Sequence, residues 1–183
     1  MRAGRERAWP PQSAHTGARS ARRLPYERAW PPQSAHTGAR KREGCLMSFV
    51  LDSSVTLAWC FEDERTDATD ALLERVVESG ADAPSLWPLE ILNGLMMAER
   101  RGRLAADDRQ RLGGFLRDLP VNLDADTTSQ AWLTTSALAA RHRLTIYDAA
   151  YLELAQRLRL PLATLDAQLR AAAGALDIEV LGA

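Results

Sequence analysis

The chain has 183 residues, 46% of them apolar and 26% charged, and a formal net charge of -1. That length suits one domain with one substantial core, and charged residues break every apolar run well before the roughly 20 residues that a membrane span requires, which argues against a membrane protein. Two cysteines, Cys45 and Cys60, are too few for a disulfide scaffold and lack zinc-ligand spacing, so the chain reads as a reduced, cytoplasmic protein.

The near-neutral total hides an asymmetry. Residues 1–46 carry ten basic and three acidic residues and the remainder thirteen and twenty-one, leaving the first part at +7 and the second at -8. The string ERAWPPQSAHTGAR occurs unchanged at 6–19 and 27–40, too short for a solenoid unit. Its proline pairs and lack of periodicity predict disorder, because so little apolar area cannot offset chain entropy. Three readings stay open: an RNA-attracting basic arm, a targeting peptide, or translated upstream sequence. An unchanged repeat suggests duplicated DNA, and Met47 directly precedes an apolar strand, so the native chain is expected to start at Met47. The expected organisation is a basic tail over 1–46 and a folded domain over 47–183.

From residue 48 on, short apolar runs alternate with longer amphipathic stretches, which predicts an α/β fold with a mainly parallel sheet. The first strand is expected over 48–51. Asp52-Ser53-Ser54 then offers N-cap chemistry for a short helix over 55–61, in which Cys60 reads as a small core residue rather than a nucleophile. A second helix over 66–78 ends at Gly80. A strand at 82–83 leads through Pro88, suited to a first helical turn, into a helix over 89–101 with Gly102 at its end. A helix over 106–118, a strand at 121–123 and a helix from 126 to 142 follow. The helix over 147–158 places Tyr151, Leu154, Ala155 and Leu158 at spacings of three and four, a buried stripe starting one turn after Asp148. A strand over 161–165, a helix over 166–173 and an edge strand at 178–181 complete the domain.

Asp52 and Asp166 each directly follow an apolar strand, where open α/β sheets bind ligands. Glu90 and Asp148 fall in the first turns of helices and can point to the same end of the sheet. Taken singly, Asp52, Asp148 and Asp166 are equally good helix N-caps and Glu90 a solvated first-turn acid. Taken together, four carboxylates at one sheet end repel strongly unless a cation neutralises them. Oxygen-only ligation suits Mg²⁺ or Mn²⁺. Such an ion activates a water for phosphodiester hydrolysis without a covalent nucleophile.

The words around these acids resemble the PIN domain and, within it, the VapC-like toxins of toxin-antitoxin pairs. FVLDSSVTLAWCFEDE at 49–64 is similar to the family's opening strand, with Asp52 as its first acid and Ser53 or Ser54 as the small hydroxyl residue beside it. LWPLEILNGL at 86–95 carries Glu90, and LTIYDAAYLELAQRLRLPLATLDAQL at 144–169 carries Asp148, Thr164 and Asp166. The resemblance implies a three-layer α/β/α fold with four to five strands and a Mg²⁺- or Mn²⁺-dependent endoribonuclease acting on structured RNA such as tRNA. It also implies a homodimer silenced by a VapB-like antitoxin whose tail enters the acidic pocket. The upstream tail departs from such compact proteins.

Among the other residues, Arg100, Arg101 and Arg103 are the preferred RNA or antitoxin contact, with a solvated helix end as the plain alternative. His142, the only histidine after Met47, lies between two arginines and is expected at the surface, which removes most histidine-based chemistry. Trp59, Trp87 and Trp132 read as core or dimer interface. Asp124 and Asp126 read as caps or pocket rim. A dehalogenase-like phosphatase or a receiver domain needs a lysine, and the chain's single lysine is Lys41. A housekeeping RNA-processing nuclease and a catalytically silent binding module stay open as alternatives.

Overall fold

The computed structural model describes residues 48–182, so the expected tail over 1–46 lies outside the described residues. Within them, five short strands form one parallel sheet, β1 (Val50–Leu51), β2 (Ala81–Pro84), β3 (Val121–Asp124), β4 (Leu162–Ala163) and β5 (Val180–Leu181). Their order across the sheet is β3-β2-β1-β4-β5. The chain thus builds outward from β1 in one direction, then crosses back over it and continues in the other. The reversal falls between β1 and β4, which pair as Val50 with Leu162 and Leu51 with Ala163. The carboxyl ends of these two strands are the usual ligand position of an open α/β sheet.

Helices α1 (Ser53–Ala58) and α2 (Asp67–Ser79) join β1 to β2, and α3 (Trp87–Arg100) and α4 (Ala106–Arg117) join β2 to β3. Then α5 (Thr127–Gln130), a π-helical turn (Ala131–Thr135), α6 (Ser136–His142) and α7 (Ile146–Leu158) lead to β4, and α8 (Ala167–Gly174) leads to β5. Because α3 packs on α1 and α4 while α7 packs on α6 and α8, the helices fall into two groups. Right-handed crossovers put those groups on opposite faces of the sheet, giving three layers.

The local reasons are ordinary. Thr66 accepts a bond from the Thr69 N–H while Thr69 reaches back to the Thr66 N–H, a capping box that starts α2. Gly80 ends α2 at φ +78°, a conformation that side chains resist. The central strands are apolar on both faces, with Phe49, Val50, Leu51, Leu162 and Ala163 all buried.

Three expectations change. The helix expected from 126 to 142 runs from 127 to 142 but contains a π-helical turn, within which Trp132 is 86% and Leu133 76% exposed, so Trp132 is not a core residue among the described residues, whereas Trp59 and Trp87 are. The stripe on α7 does not reach Leu158, which is exposed; instead all of Ala149 to Ala155 is buried, because this helix is covered by the sheet on one side and by α6 and α8 on the other. His142 is half-buried rather than at the surface.

Candidate active site

Asp52 is the first residue past β1, and its side chain is only 4% exposed although it makes no capping bond to α1. Its Oδ2 accepts hydrogen bonds from Ser54 Oγ at 2.5 Å and Thr164 Oγ1 at 2.6 Å, and Ser53 Oγ lies 3.4 Å from Oδ1. All three partners are neutral hydroxyls. Thr164, one residue past β4, also accepts from the Asp166 N–H at 3.1 Å, while Ser54 Oγ accepts from the Leu165 N–H at 3.0 Å. The two strand ends are therefore laced together by the small hydroxyl residues beside Asp52.

The other acids approach from helices. Trp87 Nε1 donates to Thr56 Oγ1 at 3.3 Å, tying the first turn of α3 to α1 and carrying Glu90 toward Asp52. The Glu90 carboxylate accepts a bond from the Tyr151 hydroxyl on α7. Asp148 is not the N-cap of α7: Thr145 caps the helix, accepting from the Asp148 N–H at 3.1 Å and donating to Asp148 Oδ2 at 2.6 Å. Asp166 does cap α8, accepting from the Leu169 N–H at 2.7 Å, so one of its oxygens is engaged and the other is not.

Electrostatics tie three of these acids together. Burial, opposed by the Ser54 and Thr164 hydrogen bonds and reinforced by the charge of Asp148, pushes the Asp52 carboxyl above its ordinary pKa. Glu90 is likewise pushed up, by burial first and by Asp52 and Asp148. Burial and the charges of Asp52 and Glu90 hold the Tyr151 phenol far above its usual range, so it is a permanent donor. Asp166 is linked to the group through its backbone N–H, which donates to the Thr164 hydroxyl that bonds Asp52.

A second acid cluster provides the contrast. At the end of β3, Asp124 pairs with Arg157 at 2.8 Å, Glu153 pairs with the same guanidinium at 2.8 Å, and Asp126 lies 3.9 Å from it. One arginine holds that cluster, so Asp124 and Asp126 are structural rather than a pocket rim. Within the described residues, no ion pair involves Asp52, Glu90, Asp148 or Asp166. Among the described residues their charge has no ion-pair partner, and a buried carboxylate bonded by the hydroxyls of Ser54 and Thr164 fits a hard divalent cation in its donor chemistry. Among the described residues no three acid, histidine or cysteine side chains form a ready-made metal cage. An ion here would take few direct carboxylates and keep several waters, as Mg²⁺ commonly does.

A family model for the PIN domain matches residues 49–175, which span the sheet from β1 through β4. The chain belongs to the PIN domain family. Ribonuclease VapC3 of Pyrobaculum aerophilum is 32% identical over 127 residues, 67% of this chain and 92% of that protein. The crystal structure of PAE2754 from Pyrobaculum aerophilum is similar with a TM-score of 0.52 at 25% identity, covering 68% of this chain and 78% of the other. FitAcB from Neisseria gonorrhoeae has a TM-score of 0.53 at 16% identity over 73% of this chain and 96% of the other, a likeness of fold.

Of the arginines singled out in the sequence of this PIN domain, Arg103 is engaged. It bonds Asp63 and Glu64 at 3.0 and 2.8 Å and stacks over Phe61 at 4.3 Å. Arg100 and Arg101 remain exposed. Burial pushes the Cys60 thiol up to about 12, which disfavours the thiolate that a nucleophile needs. Sequence reasoning missed Tyr151 and Thr145 as partners of the acids. Thr145 was findable, because Thr three residues before Asp is a helix-start signal.

Proposed function

We propose that this PIN domain is a metal-dependent endoribonuclease, the toxin of a toxin-antitoxin pair, whose acids Asp52, Glu90, Asp148 and Asp166 serve Mg²⁺ or Mn²⁺. The observation that carries the reading is that buried Asp52 has no ion-pair partner among the described residues, set against a neighbouring acid cluster that has its own arginine. The kinship with a protein called Ribonuclease VapC3 supports RNA as the substrate and a toxin role. Bound there, the ion supplies an activated water and stabilises charge on the leaving oxygen. The chain's own residues do the positioning. Ser54 and Thr164 fix the Asp52 carboxylate, Thr145 fixes that of Asp148, and the end-of-strand crevice orients the phosphodiester so that water adds at phosphorus as the ribose oxygen leaves with a proton.

Partners follow from the surface. Leu89, Leu92 and Met96 form an exposed apolar row on α3 beginning next to Glu90. That row suits an amphipathic segment of a VapB-like antitoxin whose basic end would enter the acidic crevice. Exposed Arg100 and Arg101 at the end of α3 are candidate contacts for RNA or for that partner; Arg103 contributes only by leaving its acids. Trp132 and Leu133 favour a homodimer. Structured RNA such as tRNA is the substrate class to test first.

The test is cleavage of total RNA by the whole chain with Mg²⁺, with Mn²⁺ and with chelator, alongside Asp148→Asn. Metal-dependent cutting that the variant loses while staying folded supports the reading. Cleavage at the wild-type rate by the variant would remove Asp148 from the centre, and cleavage unaffected by chelator would remove the metal.

A further inference from the structure

Tyr151 is a core residue by every measure of burial, yet its hydroxyl does not end in the core. It is wholly buried on α7, three residues after Asp148 and therefore on the same face of that helix. Its hydroxyl donates to Glu90 on α3, a helix of the opposite layer, and within the described residues this is the hydrogen bond made to the Glu90 carboxylate. Asp52 has three hydroxyl neighbours and Asp148 has Thr145, all near in sequence or on the adjoining strand end. Glu90 alone of the three is held by a donor reaching across the sheet end from the other layer.

We propose that Tyr151 is a positioning residue of the metal centre: by bonding the Glu90 carboxylate from α7, it fixes that ligand relative to Asp148 and so sets the affinity for the divalent ion. This rests on the metal-centre reading above. Glutamate has three rotatable side-chain bonds, and Glu90 sits in a helical first turn that offers it no cap partner. Without the phenol, its carboxylate would have to be ordered by the ion itself, at the expense of binding. A buried tyrosine needs some partner for its hydroxyl in any case, so the alternative is a core tyrosine that merely uses Glu90 to satisfy itself. The two differ in what happens to metal binding.

The experiment is calorimetric titration of Mn²⁺ into the whole chain, its Tyr151→Phe and Glu90→Gln variants and the double variant, with thermal unfolding of each followed by circular dichroism. Positioning predicts that Tyr151→Phe weakens Mn²⁺ binding by about 10- to 100-fold, the usual effect of removing a ligand's partner. It also predicts that adding the change to Glu90→Gln weakens binding little further. Wild-type affinity in Tyr151→Phe, with Glu90→Gln weakened, overturns the proposal and leaves the metal centre standing. A full further loss in the double variant overturns it too, since Tyr151 would then act by another route. Absence of Mn²⁺ binding by the wild type overturns both readings. Should Tyr151→Phe fail to fold, the ultraviolet difference spectrum of the Tyr26→Phe/Tyr147→Phe double variant, whose one tyrosine is Tyr151, decides on adding Mn²⁺: a phenol bonded to a ligand changes its absorption, and an unchanged tyrosine band rules the role out.

Discussion

Asp166 carries two duties that a single substitution can separate. Its Oδ1 caps α8 through the Leu169 N–H. Asparagine caps helices as well as aspartate does, whereas alanine at such a position costs about 1 kcal/mol. Asp166→Asn should therefore unfold at close to the wild-type temperature yet lose metal-dependent RNA cleavage, while Asp166→Ala loses both. Wild-type cleavage by the asparagine variant would reduce Asp166 to a cap. Asp52 and Glu90 make a second prediction at this scale, because both carboxyls sit above their ordinary pKa in the folded protein. A group with a raised folded pKa binds more protons folded than unfolded, so stability falls as pH rises between the two values. The metal-free protein should lose stability as pH climbs from the ordinary carboxylate range through the raised values. Saturating Mn²⁺ should restore it above them, and Asp52→Asn should flatten the metal-free slope. Thermal unfolding against pH, with chelator and with Mn²⁺, reads all three; a metal-free melting temperature that climbs over that interval contradicts the assignment.

At the scale of elements, the centre depends on how strands are entered and left. Gly80 joins α2 to β2 at φ +78° and ψ 176°, a region open essentially to glycine alone, and a Cβ there would lie 2.9 Å from the Pro120 carbonyl oxygen. Gly80→Ala should cost about 1–3 kcal/mol by conformation and by contact with backbone that cannot step aside. Urea denaturation with an unchanged slope would register it as a shift of midpoint; an unaltered midpoint would mean that the turn relaxes freely. The same scale covers the π-helical turn inside the helical segment before α7. The π-helical turn places Thr135 inside while throwing Trp132 and Leu133 outward, and such turns recur at functional positions.

At the scale of the molecule, that outward pair holds the two most exposed large apolar side chains among the described residues, Trp132 at 86% and Leu133 at 76% exposure. Adjacent large apolar side chains so exposed mark association surfaces more often than chance. Trp132→Glu should convert a dimer to a monomer in sedimentation equilibrium without lowering the helical signal; a wild type that sediments as a monomer at all concentrations tested would remove the homodimer. The described helices include none long and apolar enough to cross a membrane.

The amino-acid sequence by itself determined the alternation of elements and the positions of the four acids. Strand, acid, helix is a local pattern: Asp52 stands directly after a buried run and Glu90 and Asp148 stand in first turns, whereas the strand before Asp166 is only Leu162–Ala163 and exposed Leu165 separates the acid from the buried run. It also carried the hydroxyls at 53, 54 and 164, whose proximity to Asp52 follows from adjacency in the chain or on the paired strand. Only the tertiary structure decided the strand order 3-2-1-4-5, since pairing between strands far apart in sequence leaves no local trace. Likewise only the fold could separate the acids that Arg157 neutralises from those with no ion-pair partner among the described residues, because both sets look alike along the chain. Tyr151 is the clearest case: a buried aromatic on an apolar stripe reads the same whether its hydroxyl meets a carbonyl or a carboxylate, and the carboxylate it meets lies 61 residues away on the opposite layer.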